Sequence, residues 1–232
     1  MKKYLLAASL LINFMVLIGG LYAVHRMGGF KNVINKIKDR GIANTYEHRA
    51  NLFEMLPIQE GDIVFLGNSL TAQNEWAEMF NNPKIKNRGI PGDHAAGILA
   101  RLGPIISAKP AKIFLMVGIN DLAYHPPSVV IEKIGQLIDA IQNKAPATKL
   151  YLQSILPIND KTGWFDFNNS DIQTVNEAIR EMAVSKNLAY IDIYPLLLDE
   201  DGSLDTVYTR DGIHINGLAY LKWKQAIETH VY

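Results

Sequence analysis

A serine that directly follows a predicted strand is the first residue of this chain that could do covalent chemistry. Ser69 lies in the segment GNSLT (residues 67–71), after the short, apolar and β-branched run DIVFL (Asp62–Leu66). Gly67 permits a tight turn between the two. A serine hydroxyl attacks a carbonyl well only when a base takes its proton. Taken alone, a serine at this place is more typical of a helix cap.

A candidate base lies near the other end of the sequence, in DGIH (residues 211–214). Asp211 precedes His214 by three residues, so its carboxylate can bond one ring nitrogen and leave the other facing a serine. The same pattern is typical of a surface aspartate that caps a helix beside an exposed histidine.

Two further segments offer hydrogen-bond donors for an oxyanion. Asn120 lies in GINDL (residues 118–122), directly after the predicted strand KIFLMV (112–117). A side-chain amide that donates to a developing oxyanion contributes about 3 kcal/mol to the transition state. Gly89, in NRGIPGD (residues 87–93), follows a weaker strand candidate, Ile85–Arg88, and could offer an open backbone N–H. Each segment is otherwise an ordinary turn.

The elements that must position these residues alternate along the chain. Two more apolar runs predict strands, Lys149–Leu152 with Ile155, and Ala189–Ile193. Apolar residues at helical spacing predict two amphipathic helices, one marked by Val130, Ile134, Leu137, Ile138 and Ile141, the other by Ile172, Val175, Ile179 and Met182.

The ends of two helices can also be predicted. Ser170 with Gln173 is a candidate capping box for the second amphipathic helix, and His214–Val231 is predicted to be a final helix. Alternating strands and helices indicate a three-layer α/β domain with a mostly parallel sheet. Ligands of such sheets bind beyond the carboxyl ends of the strands. Ser69 and Asn120 are predicted to lie at that edge.

Four segments together resemble a known family. GNSLT, NRGIPGD, GINDL and DGIHINGLAY resemble, in order, the sequence blocks of the GDSL/SGNH hydrolases. The resemblance runs from about Asp62 to the C-terminus and is nearest to the bacterial platelet-activating-factor-acetylhydrolase-like subgroup, which includes carbohydrate O-acetylesterases. Asn68 stands where the name-giving motif has Asp, a position that is not catalytic in the family.

The resemblance implies a role for each candidate residue. Ser69 matches the nucleophile, His214 the general base and Asp211 the acid that orients it. The implied oxyanion hole consists of the Ser69 N–H, the Gly89 N–H and the Asn120 side chain. The implied fold is a flavodoxin-like three-layer α/β/α sandwich with a mostly parallel five-stranded sheet, preceded here by an N-terminal apolar helix.

The implied activity is that of a serine esterase. It would remove a small acyl group, chiefly acetyl, from a carbohydrate or similar alcohol through an ester of Ser69, with no metal and no cofactor. Within the same class a lysophospholipase or thioesterase remains open, and so does transfer of the acyl group to a glycan hydroxyl. A non-catalytic binding module that kept the fold is the weakest alternative.

The composition excludes several other functions. Lys plus Arg and Asp plus Glu are both 23, so the formal net charge is zero. Nucleic-acid binding normally requires an excess of basic residues, and this sequence has none. There is no cysteine, hence no disulfide, thiolate metal site or catalytic thiol. The sequence contains neither GxGxxG nor GxxxxGK[ST], which argues against nucleotide binding. The expected partner is a small-molecule or glycan ester.

The N-terminus predicts contact with a membrane. Residues Tyr4–Val24 are almost wholly apolar and long enough to span a bilayer. The absence of a clear cleavage site favours an uncleaved anchor at residues 1–27 over a cleaved signal peptide. Residues 28–60 are then a helical lead-in, and residues 61–232 the hydrolase domain.

The side of the membrane on which the domain lies is a weaker prediction. Positive charges follow the apolar segment and would keep that side cytoplasmic: Arg26, Lys31, Lys36, Lys38 and Arg40. A two-lysine start with almost no chain before it favours export. We therefore expect a membrane-anchored domain that faces the periplasm or cell exterior, or a secreted or periplasmic one after cleavage. The sequence does not predict the oligomeric state.

The roles of a few residues near these segments remain open. His94 and His125 could line the pocket, although histidines in polar loops are more often exposed to solvent. Trp164, Phe165 and Phe167 could form the wall of an acyl or sugar site. They could equally hold a long loop against the core.

Overall fold

The computed structural model of the chain describes residues 2–162 and 165–232, so Trp164 lies outside the described residues. The chain divides into two compact units, Met1–Thr45 and Tyr46–Tyr232. The first contains helix α1 (Lys2–Arg26) and most of α2 (Phe30–Met55). The predicted N-terminal apolar helix is thus present.

Helix α1 is the segment with the properties of a membrane span. Among the described residues, Ser9–Arg26 is long and apolar enough to cross a bilayer, and this window is not buried. A signal sequence near an N-terminus has the same length and composition.

The second unit is built on a five-stranded sheet in the order β2-β1-β3-β4-β5, with every pair parallel. The strands are β1 (Ile63–Gly67), β2 (Ile85–Gly89), β3 (Lys112–Met116), β4 (Lys149–Gln153) and β5 (Ala189–Ile191). The predicted fold, an α/β domain with a five-stranded parallel sheet, is confirmed, and each strand overlaps its predicted segment.

Helices cover both faces of the sheet. They are α3 (Ser69–Ala72), α4 (Trp76–Met79), α5 (Ala95–Ala100), α6 (Leu102–Ser107), α7 (Ile119–Leu122), α8 (Pro127–Lys144), α9 (Asn169–Ser185) and α10 (Gly217–Val231). Short 3₁₀ turns lie at Asp160–Thr162 and Tyr194–Leu197. Because side chains alternate along a strand, β1 directs Val64 and Leu66 into one core and Ile63 and Phe65 into the other.

The two cores differ in composition. The core beneath α5, α6, α8 and α9 is largely aliphatic. The core beneath α4 and α10 is aromatic: Phe65 stacks on Trp76 at 4.5 Å and on Phe114 at 4.9 Å, and Trp223 meets the edge of Trp76 at 4.9 Å. Aromatic pairs of this geometry stabilise a core beyond the area that they bury. This core holds α10 against the same face of the sheet.

Two predicted helix starts were wrong. Helix α9 is capped by Asn168 with Asp171, not by Ser170 with Gln173, because the Asn168 side chain accepts from the Asp171 N–H and Asp171 accepts in return. Helix α10 begins at Gly217 rather than His214, after an Asn216 cap. Hydrogen bonds within residues 209–215 hold that segment as a loop.

The C-terminal part of α2, from Tyr46 onward, belongs to the second unit and contacts the sheet edge within that unit. The Tyr46 hydroxyl donates to the carbonyl of Gly97 at 3.3 Å. Arg49 donates to the carbonyl of Gly89 at 3.3 Å, and Arg88 donates to that of Leu56 at 2.8 Å. The domain boundary at residue 61 stays a prediction, but these contacts begin earlier in the chain.

We expect a shortened chain that starts at residue 61 to be less stable than one that starts at residue 46. A hydrogen bond to a charged group is worth about 1.5–3 kcal/mol, and the shorter chain leaves Arg88 without Leu56. The melting temperature should fall by about 5–10 °C. Thermal unfolding followed by circular dichroism measures this difference. Equal melting temperatures would show that residues 46–60 contribute nothing to the fold.

Candidate active site

Ser69 is positioned at the carboxyl end of β1 by a short helix cap. Asn68, at the end of the strand, accepts a hydrogen bond from the Leu70 N–H at 3.0 Å, which starts α3 with Ser69 as its first residue. Asn68 therefore performs a capping role for which Asn and Asp are equally suited. The departure from the family motif leaves the local structure of the serine intact.

The predicted base and its carboxylate reach Ser69 from the opposite end of the chain. His214 Nε2 lies 3.1 Å from Ser69 Oγ, although the two residues are 145 positions apart. His214 Nδ1 lies 2.6 Å from Asp211 Oδ2. Both distances lie within the range expected of a nucleophile, a base and the group that orients the base. The structure therefore brings these three predicted residues into one hydrogen-bonded line.

The loop that carries His214 is organised by the same aspartate. Asp211 Oδ1 accepts the N–H groups of Ile213 and His214 at 3.1 Å and 2.8 Å, while Oδ2 holds the ring. Partial burial raises the pKa of the Asp211 carboxyl, but hydrogen bonds from the His214 ring and from these two N–H groups together hold the pKa below its ordinary value. Asp211 thus remains an anion that favours a positive imidazole ring.

Asn120 lies in α7, just beyond the carboxyl end of β3. Its Nδ2 donates to the backbone carbonyl of Asp93 at 2.8 Å. An asparagine amide has two N–H donors, and this contact uses one of them. The contact also joins the loop after β3 to the loop after β2. The second N–H remains for an oxyanion.

The geometry corrects the expectation for Gly89. Its N–H already donates to Asn87 Oδ1 at 2.9 Å, so this donor is occupied. A Cβ at Gly89 would approach the Ala72 nitrogen to 2.3 Å and the carbonyl carbon of Thr71 to 2.8 Å. Glycine is needed here because the helix that begins at Ser69 packs directly on the β2 backbone. Gly89 serves this close approach, and the structure does not support it as an oxyanion donor.

Gly92 is a further candidate oxyanion donor, which the sequence motifs alone did not single out. It adopts a positive φ of 80°, a conformation that glycine accepts without strain. In the described part of the chain its N–H has no hydrogen-bond partner. It directly precedes Asp93, whose carbonyl holds the Asn120 amide. The signal was present in NRGIPGD, where a second glycine follows the first by three residues.

Comparison with known families agrees with this architecture. Residues 65–222 match the GDSL-like Lipase/Acylhydrolase family, a stretch of more than half of the 232 residues. The chain belongs to this family. Its members are lipases and acylhydrolases by description, so the chain stands among ester hydrolases.

Solved structures share the fold of this GDSL-family chain. A candidate platelet activating factor from Streptococcus pneumonia matches with a TM-score of 0.77 and 25% identity, over 86% of this chain and 99% of that one. A GDSL-like lipase from Bacteroides thetaiotaomicron VPI-5482 matches at 0.68 and 23%, over 80% and 96%. An acetylxylan esterase from Geobacillus stearothermophilus matches at 0.60 and 16%, over 75% and 95%. The last two similarities show the fold alone.

The chain also matches part of a curated relative. The chain is 25% identical over 186 residues to an N-acylneuraminate cytidylyltransferase from Escherichia coli O18:K1:H7 (strain RS218 / NMEC). The match covers 78% of this chain but only 42% of the relative, so the chain spans less than half the length of that protein.

The other residues singled out in the sequence have local roles. The His94 ring caps α5 by accepting the Gly97 N–H at 2.9 Å. His125 lines a cavity of about 360 Å³, together with Tyr124 and Phe167. Phe167 is buried, Phe165 packs against the same core, and their ring centroids lie 5.7 Å apart. These contacts favour the structural interpretation of both phenylalanines.

A metal centre finds no support in the described residues. Within residues 2–162 and 165–232, no group of three or more His, Asp or Glu side chains is arranged to hold a metal ion. The expectation of a reaction without a cofactor stays a prediction.

Replacement of Asp211 by asparagine should lower kcat for p-nitrophenyl acetate about 10²- to 10⁴-fold, because the neutral amide no longer fixes and stabilises the proton-accepting ring. Steady-state hydrolysis at neutral pH measures the loss. Asp205→Asn is a matched control, since the Asp205 side chain bonds only the Val207 N–H, a few residues before the loop that carries His214. An equal loss in both variants would contradict a specific role for Asp211.

The lowered pKa of Asp211 also predicts a pH dependence of stability. A carboxyl whose pKa is depressed by folding stabilises the fold above its unfolded pKa of about 3.9 and loses that contribution as the pH falls through the folded value. The melting-temperature difference between wild type and Asp211→Asn should therefore be present at about pH 6 and shrink as the pH falls below the unfolded pKa of about 3.9. A difference that stays constant over this range would contradict the prediction.

Proposed function

We propose that this chain is a serine esterase that hydrolyses small acyl esters, chiefly acetyl esters, of carbohydrates or similar alcohols. The observation that carries the proposal is the continuous line from Asp211 Oδ2 through the His214 ring to Ser69 Oγ, with contacts of 2.6 Å and 3.1 Å. A serine, a base and an orienting carboxylate in this order are the groups that acyl transfer requires.

In the first half of the reaction, Ser69 Oγ attacks the ester carbonyl while His214 Nε2 accepts the hydroxyl proton. The imidazolium that forms is stabilised by the Asp211 carboxylate, which also keeps Nε2 free to act by holding Nδ1. When the tetrahedral intermediate collapses, His214 returns the proton to the departing alcohol oxygen. The product of this half is an acyl ester of Ser69.

The negative charge of the intermediate is placed against three donors: the Ser69 N–H, the Gly92 N–H and the second Asn120 amide N–H. The first N–H groups of a helix have no partner within that helix, so the Ser69 N–H at the start of α3 is available. The unpartnered Gly92 N–H and the Asn120 amide lie on either side of Asp93. Such preorganised donors are usually the largest single contribution to catalysis of acyl transfer.

In the second half, water replaces the alcohol. His214 removes a proton from the water, which attacks the acyl carbonyl, and the same three donors hold the second oxyanion. His214 then protonates Ser69 Oγ as the acid leaves. Each step uses only groups of this chain.

The substrate class is supported by the described functions of similar proteins. One structure with the same fold is that of an acetylxylan esterase, and the E. coli relative bears the name of an enzyme that acts on an acylated sugar. Both names point to carbohydrate. On this basis we propose an acetylated carbohydrate as the substrate.

A lipid ester is a second candidate, and helix α1 favours it. The segment Ser9–Arg26 could hold the domain at a membrane where lysophospholipids or lipid-like thioesters are present. We further propose that this segment directs export of the domain to the periplasm or cell exterior, either as an anchor or as a cleaved signal. Transfer of the acyl group to a glycan hydroxyl would use the same site, with the glycan in place of water.

The test is hydrolysis of p-nitrophenyl acetate, butyrate and octanoate by the full chain in mild detergent. We expect acetate to be the best substrate, and Ser69→Ala and His214→Ala each to abolish its turnover, because either change removes a member of the hydrogen-bonded line. Ser185→Ala is the matched control, since the Ser185 hydroxyl bonds only the Met182 carbonyl at the end of α9.

Each other outcome selects a different function. Highest turnover of octanoate would favour a lipid substrate and keep the same catalytic residues. An acylated sugar formed when xylo-oligosaccharide is added would indicate acyl transfer. A folded chain that is inert toward every ester, and toward a serine-directed fluorophosphonate, would instead support a binding module.

A further inference from the structure

A buried ion pair lies directly behind the proposed oxyanion donors. Arg101, between α5 and α6, donates through Nε to Asp93 Oδ2 at 2.8 Å, and its Nη2 lies 2.8 Å from the same carboxylate oxygen. The Asp93 side chain is fully buried, and that of Arg101 is 14% exposed. Burial raises the pKa of the Asp93 carboxyl, and Arg101 opposes this shift. Removing two charges from water costs so much free energy that such a pair is weak evidence of a purely stabilising role.

The arginine of this pair also contacts two strand ends. Arg101 Nη2 donates to the carbonyl of Arg88 in β2 at 2.8 Å and to that of Gly67 in β1 at 3.4 Å. Gly67 lies two residues before Ser69. One planar guanidinium group thus connects the carboxyl ends of two strands with the loop that follows β2.

The aspartate of the pair extends this connection to a third strand. The backbone carbonyl of Asp93 accepts the Asn120 amide, which follows β3. Its Oδ1 accepts the His94 N–H at 2.9 Å and so fixes the turn in which Gly92 lies. Each proposed donor is therefore close to the ion pair. Ser69 lies two residues after Gly67, Gly92 directly precedes Asp93, and the Asn120 amide bonds the Asp93 carbonyl.

A glycine in α5 leaves room for the carboxylate. A Cβ at Gly97 would approach Asp93 Oδ1 to 2.2 Å, a distance that real Cβ atoms do not reach. The Gly97 backbone is helical, so a larger residue would suit the helix itself. The main constraint at this position thus comes from Asp93, and the His94 ring, at 3.3 Å from the same Cβ, adds a smaller one.

We propose that Asp93 and Arg101 are positioning residues for the esterase reaction, and that their ion pair sets the distances among the Ser69, Gly92 and Asn120 donors of the oxyanion hole. The inference rests on the proposed function. Neither side chain contacts the substrate. Their effect is exerted through the backbone of the three loops, where a displacement of about 1 Å costs about 100-fold in rate.

The first test replaces Arg101 by lysine in the full chain. Lysine keeps the charge, but its compact ammonium group cannot reproduce the planar fork that spans Asp93, Arg88 and Gly67. We expect kcat for p-nitrophenyl acetate to fall about 10- to 100-fold with KM within about twofold. Arg180→Lys is the matched control, because Arg180 pairs with Asp192 at the same 2.8 Å on the exposed surface.

The readout that separates positioning from folding is the affinity for phenylboronic acid. Its boron accepts a lone pair from Ser69 Oγ while His214 Nε2 takes the hydroxyl proton, and the oxyanion donors must hold the tetrahedral boronate anion that forms. The inhibition constant should rise by the same factor by which kcat falls. A variant that is merely partly unfolded would lose kcat in proportion to its active fraction and keep the wild-type inhibition constant.

Gly97→Ala is the second variant, in case Arg101→Lys does not fold. It displaces the Asp93 carboxylate without removing a charge and raises the helix propensity of α5. We expect the same joint change in kcat and inhibition constant. If both folded variants keep wild-type values, the proposal is wrong while the esterase function stands.

The function and the inference can fail separately. Should the wild type bind phenylboronic acid but hydrolyse no ester, the inhibition constants of the variants still decide the positioning role, because the adduct needs only Ser69 and the three donors. A wild type that neither hydrolyses esters nor binds the boronate overturns both proposals.

Discussion

The parallel register of the three neighbouring strands β2, β1 and β3 is the constraint on which the site depends. Gly67 lies opposite Gly89 on one side and Met116 on the other, so the three strands end at the same level. The residues that follow these ends must therefore converge at one edge of the sheet. Ser69 and Asn120 are delivered there by strand geometry alone, and Gly89 keeps α3 close enough to the sheet for Ser69 to remain at that edge.

The base arrives by a different route. Loop 209–216 has no strand before it, and its shape is held by the Asp211 carboxylate and by the cap of α10 at Asn216. Helix α10 is in turn fixed by aromatic packing, and the Tyr220 hydroxyl donates to the carbonyl of Leu70, next to Ser69, at 2.7 Å. The aromatic core beneath α10 thus contributes to the distance between the His214 ring and the Ser69 hydroxyl.

The two glycines of NRGIPGD differ in whether their backbone N–H groups have a hydrogen-bond partner. A buried N–H is almost always paired, and Gly89 meets this requirement through Asn87. Gly92, three residues later, has a left-handed conformation and an N–H without a partner in the described part of the chain. In the proposed reaction, this unpaired donor beside the Asn120 amide would bind the oxyanion. Gly89 allows close packing of α3 on β2, and Gly92 is the candidate donor.

The sequence by itself predicted the strands and the layer order, and it named Ser69, Asn120, Asp211 and His214 as candidate site residues, because apolar periodicity and local spacing carry that information. It could not separate Gly89 from Gly92, since the pairing of an N–H depends on side chains that fold back onto it. Nor could it reveal the contacts among Arg101, Asp93, Gly67 and Arg88. Residues distant along the chain meet only when the sheet has formed, so tertiary structure alone decided which donors are free and what holds them.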